Sequence, residues 1–529
     1  MKYDFEQMRD EIEKEFSIAA VNEEIKNNPE IAASFTKRDR GIKASIDIYQ
    51  SWDGQTNQDD INRAIHKISK STNKYSNKEN IVRSIVTKLM SDGYYGYMLL
   101  RKAIGHKLEH PVLRPWYANR LPQIPSLINP GGEITLTEGE FVLSGQITLD
   151  KDNIWLHGKG ISTIISGVGT NGNGYIRIDA HLEARNNIKV SDMYIDATGW
   201  STQSNYAPVI GNATSGAYTS KNIELNNIKI RASNEHVCPI YFGEGDNPQL
   251  ENVRIRNCDV RSTGTKIYGI GFRCKTTNLW IEGNKVDFPN AVANEQYNPI
   301  AVYWLSEYVH INANRILNTG GHSSIGISPA HYVEIIGNIV KATERSEYIE
   351  CGIEVEEGLA HQPDTTGTSH HIIISGNYIY GGAKGIATRA DSSYPAIYGI
   401  VAANNIIEYC TLGVWINTRV KQMTVVDNII TNCTTEITND STENTNRIID
   451  NEGYNPVGNF TAPSMPNSGV NYTNDYGYPC MVQVYGGNVT DIDIDDVATG
   501  LTSGTFIIPP SGTINITYSS APSWRWWGL

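Results

Sequence analysis

Two glutamates separated by one residue, Glu354 and Glu356, are the side chains of this sequence best placed to act together on a substrate. If their segment is a β-strand, alternate side chains share a face, and the two carboxylates project about 6.5–7 Å apart. Paired carboxylates are typical of glycoside hydrolysis, in which one is the acid and the other the base or nucleophile. The spacing favours the inverting reaction, and two like charges raise the pKa, as an acid requires.

Further candidates are expected on the same face. Arg389 is placed beside Glu356, where it would orient a carboxylate or bind an acid group of the substrate. On residue type and spacing, the catalytic candidates are Glu354, Glu356 and Arg389. Others are expected to bind substrate through polar groups or by stacking on sugar rings: Arg273, Tyr303, Trp304, Ser328, Trp415 and Asn417.

Other interpretations of these residues stay open. A Glu–Arg pair on an exposed sheet is often a solvated ion pair that contributes about 0–1 kcal/mol. Alternatively, the face binds a substrate without cleaving it. A lyase would need a Lys or Arg base, often with Ca²⁺ to neutralise an acidic sugar. Arg273 or Arg389 would serve as that base, although no acidic Ca²⁺ cluster is visible in the sequence.

The long insertion after Glu357 is expected to overhang this face, since loops on a rigid scaffold commonly carry function. It runs through His361, Asp364, His370 and His371. No fixed spacing of ligands supports a metal site at the two adjacent histidines, so neither a metal nor a cofactor is predicted.

These placements depend on a short phrase that occurs ten times, with an apolar residue at its first, third and eighth positions. The copies lie 23 to 39 residues apart and begin at Ile154, Ile188, Ile223, Val253, Leu279, Val309, Val333, Ile372, Ile400 and Met423. Repeats of this length are typical of stacked arrays. The period of two inside each copy predicts strands rather than helices.

An asparagine recurs at one turn position of the repeat. It lies five places after the start of six copies, at Asn284, Asn314, Asn338, Asn377, Asn405 and Asn428. Asparagine tolerates left-handed backbone, and its amide satisfies buried turn groups. Stacked on successive coils, these side chains are expected to hydrogen bond to each other as a ladder. The pattern predicts a mainly β protein, a right-handed parallel β-helix of about ten or more coils.

A second strand precedes each copy from Val253 onward. These strands are Ile240–Gly243, Ile270–Arg273, Ile300–Tyr303, Ile325–Ser328, Ile353–Glu356, Ile386–Arg389 and Val414–Asn417. Their first and third residues should point inward and their second and fourth outward, onto an exposed face that we name the outer strip. Because adjacent parallel strands lie about 4.8 Å apart, Glu356 is expected between Ser328 and Arg389.

The rest of the chain divides at changes of pattern. Residues 1–125 show charges spaced along apolar stripes, which predicts an α-helical domain that anchors or caps the solenoid. Residues 126–455 are expected to form the β-helix, and a proline-rich linker covers 456–474. Residues 475–529 are expected to form a small C-terminal β domain. Its final tryptophan cluster is expected to pack within or between subunits, with stacking on sugars and contact with a membrane as alternatives.

The composition of the chain limits which classes of binding partner are expected. With 44 basic and 57 acidic residues, the 529-residue chain carries a formal charge of −13, which argues against nucleic acid as the main partner. The first residues are charged, so no signal peptide is visible, and no apolar run predicts a membrane span. Cys410 and Cys433 are expected to stack on adjacent coils as buried small residues.

The segment Gly131–Gly167, GGEITLTEGEFVLSGQITLDKDNIWLHGKGISTIISG, resembles the opening coils of the pectate-lyase-like β-helix superfamily, especially its viral tailspike members. The resemblance covers about residues 130–450. It implies the β-helix fold and, for a tailspike, a homotrimer on the virion surface. The superfamily includes lyases, hydrolases, epimerases and non-catalytic spikes, so the reaction does not follow from the fold.

A second phrase, GGHSSIGIS (Gly320–Ser328), is similar to the glycine–histidine phrase of polygalacturonase-type glycosidases. In that family a histidine on this strand assists aspartates on neighbouring coils. The chain has no pair of aspartates at the matching height, so the resemblance implies only an assisting role for His322.

Three functions follow as hypotheses. The first is a phage-like spike that binds and hydrolyses a host cell-surface polysaccharide, with residues 1–125 bound to virion structural proteins. The second is a receptor-binding virion spike without catalysis. The third is a secreted polysaccharide lyase or glycosidase.

Overall fold

A computed structural model describes the protein from residue 112 to residue 529, with gaps. Outside the description lie some positions between 114 and 129 and the segments 168–173, 179–183, 201–206, 213–217, 234–236, 244–248, 265–267, 290–297, 320, 343–348, 358–367, 391–395 and 443–444. The α-helical domain predicted for residues 1–125 falls almost wholly outside the described residues. One short helix, α1 (Ile124–Leu127), precedes the first coils.

Within the described residues, thirty strands form one continuous parallel sheet. They are β1 (Val112–Leu113), β2 (Glu133–Leu136), β3 (Gly139–Leu143), β4 (Ile147–Leu149), β5 (Trp155–Gly167), β6 (Ile176–Ile178), β7 (Asn186–Ala197), β8 (Ala207–Asn212), β9 (Thr219–Ala232), β10 (Val237–Gly243), β11 (Gln249–Arg256), β12 (Asp259–Ser262), β13 (Ile270–Arg273), β14 (Lys275–Glu282), β15 (Lys285–Asp287), β16 (Ile300–Asn312), β17 (Arg315–Thr319), β18 (Gly321–Ile336), β19 (Ile339–Ala342), β20 (Ile349–Glu356), β21 (His370–Ser375), β22 (Tyr378–Tyr380), β23 (Lys384–Arg389), β24 (Ile397–Ala403), β25 (Ile406–Glu408), β26 (Leu412–Ile416), β27 (Val420–Val426), β28 (Ile429–Thr431), β29 (Thr435–Asn439) and β30 (Arg447–Ile449).

The strands stack in three columns around the coil. The first column runs through β11, β14, β16, β18, β21, β24 and β27, the second through β10, β13, β16, β18, β20, β23 and β26, and the third through β12, β15, β17, β19, β22, β25 and β28. Strands β16 and β18 are long enough to turn a corner and pair in two columns. This topology confirms the predicted parallel β-helix.

The second column has the register predicted from the sequence. Its inward first positions pair in the order Ile240, Ile270, Ile300, Ile325, Ile353, Ile386 and Val414. These side chains are buried in one apolar core that extends from Leu113 to Ile448. Burial of the same apolar positions on every coil fixes the register, because a slip by one residue would turn them outward.

The predicted asparagine ladder is present and reaches one coil further. From Asn284 to Asn428, each side-chain amide donates to the Oδ1 of the asparagine on the next coil at 2.9–3.0 Å, and Asn428 donates to Asn451 at 2.8 Å. Each amide also donates to a backbone carbonyl, as Asn377 does to Ile335 at 2.8 Å. Every buried donor and acceptor of the ladder therefore has a partner.

A second row of side chains follows a turn with left-handed backbone on the outside. It begins with exposed asparagines, including Asn187 and Asn222, whose amides bond at 2.7 Å. Further along it becomes aromatic: Tyr308 stacks on Tyr332 at 5.0 Å, and Tyr332 on His371 at 5.1 Å. Such rows repeat one backbone conformation on successive coils.

Two antiparallel four-stranded sheets follow the β-helix. Their strands are β31 (Gly458–Phe460), β32 (Tyr472–Thr473), β33 (Cys480–Tyr485), β34 (Asn488–Ile494), β35 (Val497–Ala498), β36 (Gly504–Ile508), β37 (Thr513–Ser520) and β38 (Ser523–Gly528), in the orders β31-β38-β33-β36 and β32-β37-β34-β35. Trp524 and Trp526 are buried in the core between the sheets. The division into linker and domain stays a prediction, and β31 and β32 lie within the predicted linker range.

The described residues contain no helix long and apolar enough to cross a membrane. All seven cysteines are free thiols, and Cys410 is buried whereas Cys433 is half-buried.

Candidate active site

The candidate site lies on the second column, where β18, β20 and β23 are consecutive strands. Gly326 of β18 pairs with Glu354 of β20, and two residues further along Glu356 pairs with Arg389 of β23, as the sequence predicts. Alternation along β20 directs both glutamates away from the core, while Val355 between them is buried in it.

His322 reaches both glutamates from β18. Its Nε2 hydrogen bonds with Glu356 Oε1 at 2.8 Å and lies 3.0 Å from Glu354 Oε2. Arg389 completes the group, since its Nη1 lies 3.0 Å from His322 Nε2 and 3.9 and 4.0 Å from the nearest oxygens of Glu356 and Glu354. All four catalytic candidates thus meet in one group, which we name the carboxylate cluster.

Burial divides the cluster into two layers. The side chains of Glu354 and Glu356 are 1% and 5% exposed, whereas those of His322 and Arg389 are 16% and 51% exposed. The expectation of an exposed outer strip is therefore wrong at these positions. Alternation decides which side of a strand a residue faces, but not what covers that side. A ligand from solvent would meet Arg389 and His322 before the carboxylates.

The nearest oxygens of the two carboxylates lie close together. The ligand atoms of His322, Glu354 and Glu356, one from each residue, all lie within 4.8 Å of one another. The inverting range of about 6.5–9.5 Å and the retaining range of about 5–5.5 Å apply to the separation of the two carboxyl groups rather than of their nearest oxygens. The inverting spacing therefore stays a prediction.

The charges of the cluster shift two pKa values upward. Burial, followed by the charge of Glu356, raises the pKa of Glu354 to about 7. Burial alone would lower the pKa of His322, but its contacts with the two glutamates outweigh burial and raise it to about 10. At neutral pH, His322 is therefore a cation held between the carboxylates, and Glu354 is close to its midpoint.

More groups lie within hydrogen-bonding distance of His322 Nε2 than this nitrogen can bond at once. This nitrogen carries either one hydrogen or one lone pair, yet three groups lie within 3.0 Å of it. The hydrogen bond goes to Glu356, and neither buried oxygen of Glu354 has a hydrogen-bond partner. The donor of Arg389 then faces the donor of His322. Arg389 is half exposed and is the most solvent-accessible member of the cluster.

The same residues have the geometry of a metal site. Within the part of the chain that the structure describes, His322, Glu354 and Glu356 are the one group of side chains arranged to hold a metal ion. One imidazole nitrogen with carboxylate oxygens suits Mn²⁺, Fe²⁺ or Zn²⁺, and carboxylates alone suit Ca²⁺. The oxygens of Glu354 have no hydrogen-bond partner and fit a cation. No local ligand spacing in the sequence indicates this group, because His322 comes from another coil.

Two predicted substrate-binding residues are buried. Tyr303 lies in a cluster with Tyr241 and Tyr268, and its hydroxyl hydrogen bonds with the side-chain amide of Asn298. Ser328 donates to the carbonyl of Glu357 at 2.5 Å. Both side chains are buried, and their role in binding substrate stays a prediction.

The remaining candidates lie around the cluster. Arg273 pairs with Tyr303 in register, and Trp304 packs partly buried against the tyrosine cluster. Trp415 donates to Asp440 at 2.8 Å and has Lys384 Nζ 4.5 Å above its ring, so one ring face is covered. Asn417 accepts from the hydroxyl of Thr418 at 3.1 Å. Their role in binding substrate stays a prediction.

The histidines of the insertion lie elsewhere than expected. His361 and Asp364 fall outside the described residues. His370 and His371 begin β21 in the first column, where the ring of His370 stacks on His331 at 4.0 Å. The first column is a different face of the coil, so the two histidines do not belong to a loop over the carboxylate cluster.

Two residues of the site were missed by sequence reasoning. Asn298 is buried and bonds both Tyr303 and the backbone N–H of Ser323. Gly326 leaves the space that their polar atoms fill. The sequence does indicate Gly326, because a glycine within a strand often marks a position that other atoms approach closely.

No family model matches the sequence, and a search of curated proteins found no match. Among solved structures, the chain is similar to a hyperthermoactive exopolygalacturonase from Thermotoga maritima, at 14% identity and a TM-score of 0.48 over 65% of this chain and 93% of that one. A family 6 lyase specific for mannuronic acid, from human gut microbiota, gives 12% identity and a TM-score of 0.41 over 65% and 87%.

The Dettilon tailspike protein is a third similar structure, at 11% identity and a TM-score of 0.42 over 79% of this chain and 94% of that one. All three similarities are at or below 14% identity and at or below a TM-score of 0.48. The parallel β-helix therefore rests on the strand pairing of this chain itself, and the finer resemblance seen in the opening coils stays a prediction.

Proposed function

We propose that the protein binds a polysaccharide over the carboxylate cluster and hydrolyses it, with Glu354 as the general acid and Glu356 as the partner carboxylate. The observation that carries the proposal is the convergence of two buried carboxylates from one strand on His322 and Arg389. A pKa of about 7 suits an acid that works near neutral pH.

The layering of the cluster suggests how substrate would enter. Arg389 covers the carboxylates from the solvent side, and its half-exposed guanidinium can turn outward to an acid or hydroxyl group of the substrate. Displacement of Arg389 would uncover the oxygens of Glu354, which have no hydrogen-bond partner in the described structure.

The test compares single substitutions in one assay. Glu356→Gln and Glu354→Gln should each lower oligosaccharide release from host envelope glycan by at least about 100-fold while binding persists. Glu334→Gln is the matched control, because Glu334 also pairs with a histidine, His310, at 2.8 Å on another column. If the wild-type protein releases nothing from any host envelope preparation, hydrolysis is excluded and a non-catalytic binding spike is supported.

A second reaction is favoured by the metal-site geometry. A divalent cation held by His322, Glu354 and Glu356 would neutralise the carboxylate of an acidic sugar. Arg389, the exposed residue beside them, would then face the sugar. This arrangement fits cleavage by β-elimination, the lyase alternative. A basic residue removes the proton from the carbon next to the carboxylate, a carbon–carbon double bond forms as the glycosidic C–O bond breaks, and the leaving oxygen takes up a proton from solvent.

The products separate the two reactions. Elimination leaves a carbon–carbon double bond that absorbs ultraviolet light, whereas hydrolysis yields reducing ends without that absorbance. Polygalacturonate and alginate serve as the first acidic probes. Removal of divalent cations by a chelator should abolish elimination and leave hydrolysis unchanged.

We also propose a virion spike as the biological setting, with the host cell-surface polysaccharide as partner, residues 1–125 bound to virion structural proteins, and a homotrimeric assembly. The mass of the purified protein in solution tests the trimer. Loss of attachment to virions on removal of residues 1–125 tests the anchor. A monomer that never associates with virions would favour the secreted enzyme.

A further inference from the structure

Asn298 is a buried amide that joins two strands next to the carboxylate cluster. It is 1% exposed, and it precedes β16 by two residues. Its Oδ1 accepts from the backbone N–H of Ser323 at 3.0 Å, and its Nδ2 donates to the hydroxyl of Tyr303. A buried amide is costly unless both of its ends are bonded, so these contacts fix its orientation.

The two contacts connect Asn298 to the cluster through His322. Ser323 follows His322 directly in β18, so the hydrogen bond to the Ser323 backbone also fixes the position from which the imidazole projects. Tyr303 holds the other end of the amide and is itself buried. The chain of contacts thus runs from Tyr303 through Asn298 and Ser323 to His322, whose ring bonds Glu356 at 2.8 Å.

A glycine makes this arrangement possible. A Cβ on Gly326 would lie 2.2 Å from Asn298 Nδ2, 2.8 Å from Ser323 Oγ and 3.1 Å from Tyr303 Oη. The polar atoms therefore fill the space that any side chain at position 326 would need. Because Gly326 pairs with Glu354, this space directly adjoins the carboxylates.

We propose that Asn298 is a positioning residue, which holds the His322 ring between Glu354 and Glu356 and is itself held by Tyr303. Hydrogen bonds weaken steeply beyond about 3.5 Å, so a shift of roughly 1 Å in the Ser323 backbone would break the contact to Glu356. The catalytic consequence rests on the proposed function, whereas the geometry can be tested without it.

The experiment uses the full chain and two graded substitutions. Asn298→Leu removes both bonds at nearly constant volume, and Tyr303→Phe removes only the hydroxyl that holds the amide. Asn446→Leu is the matched control, because Asn446 is also a buried amide that braces backbone, accepting from Met423 N and donating to Val420 O at 2.9 Å. Circular dichroism identifies any variant that fails to fold, in which case Tyr303→Phe carries the test.

Crystal structures of the variants give the decisive readout. We expect the His322 Nε2–Glu356 Oε1 contact to open in Asn298→Leu, to lengthen less in Tyr303→Phe and to stay at 2.8 Å in Asn446→Leu. If the protein cleaves a polysaccharide, kcat should fall about 100-fold in Asn298→Leu, fall about fivefold in Tyr303→Phe and stay unchanged in Asn446→Leu, with KM little changed in all three. An unchanged contact in a folded Asn298→Leu protein would overturn the proposal, whatever the activity.

Discussion

The asparagine ladder and the carboxylate cluster are both columns of buried polar side chains in the same coils, but their bonding differs. In the ladder, identical residues repeat one conformation, and each amide gives and receives hydrogen bonds between coils, at 2.7–3.0 Å for Asn338 and Asn377. In the cluster, different residues converge on one nitrogen, and both oxygens of Glu354 lack a hydrogen-bond partner. Polar groups whose hydrogen bonds are all satisfied stabilise the scaffold, whereas carboxylate oxygens without a hydrogen-bond partner can accept a bond from a ligand.

Breaking the ladder should have the largest effect on stability. Asn377→Leu would remove the acceptor of the Asn338 backbone N–H, one of the two acceptors of the Asn338 side-chain amide, and the side-chain donor to the Ile335 carbonyl. Unsatisfied buried groups cost about 1–3 kcal/mol each, so we expect a loss of about 3–5 kcal/mol in the free energy of unfolding, measured by denaturant titration. Asn222→Gly removes an exposed amide from the outer row and should cost less than about 1 kcal/mol. Equal losses would contradict the distinction.

Filling the space beside the cluster should have an intermediate effect. Gly326→Ala brings a methyl group within 2.2 Å of Asn298 Nδ2, so Asn298 must move. Overpacking of this kind costs about 2 kcal/mol, and the cluster should lose its His322–Glu356 contact in the crystal structure. Gly199→Ala is the control, since nothing lies within 4 Å of its added methyl group. A wild-type melting temperature in Gly326→Ala would show that the site is not tightly packed.

The cluster should make stability depend on alkaline pH. Because the folded-state pKa of His322, about 10, is above the ordinary 6.5, its stabilisation is complete below about 6.5 and is lost as pH rises through 10. The free energy of unfolding should therefore decrease by about 1 kcal/mol per pH unit between pH 7 and 10. Denaturant titrations of His322→Gln should show a shallower slope over this range, and parallel slopes would refute the assigned protonation.

The smallest effect is expected at acid pH on the first column. Burial and the neighbouring His331 and His371 lower the pKa of His370 to about 4. Since that value is below the ordinary 6.5, the contribution to stability is present above 6.5 and is lost as pH falls towards 4. His370→Phe keeps the stacking on His331 and Tyr398 and should flatten the melting temperature between pH 4 and 6.5. If the melting temperature of the variant fell between pH 6.5 and 4 as it does in the wild type, other groups would be responsible for the loss of stability at acid pH.

The sequence predicts the scaffold in detail because the scaffold is periodic. Alternation placed Glu354 and Glu356 on one side and Glu356 beside Arg389, and the recurring asparagines predicted the ladder. Each of these inferences needs only the position of a residue within its coil, and core burial fixes that position.

The cluster itself is less predictable because its geometry is not periodic. The contact of His322 with two glutamates depends on side-chain torsions, which a residue's position within its coil does not determine. Asn298 has no counterpart in the repeat, so no pattern indicates its bond to Ser323. In a repeat protein, residues without an equivalent in the other coils are therefore the ones to consider for function rather than for the scaffold.

The last amide of the ladder is closed by the C-terminal sheets. Asn451 donates to Asn455 at 3.3 Å, and Asn455 donates to the carbonyl of Leu529 at 2.8 Å. A stack of coils resembles a zipper that frays from its ends, because an end unit has only one neighbour. The hydrogen bond between Asn455 and Leu529 joins residues that are 74 positions apart in the sequence. Local unfolding of the last coils therefore requires the terminal sheets to open as well. The last coils and those sheets should exchange their amide hydrogens as one unit.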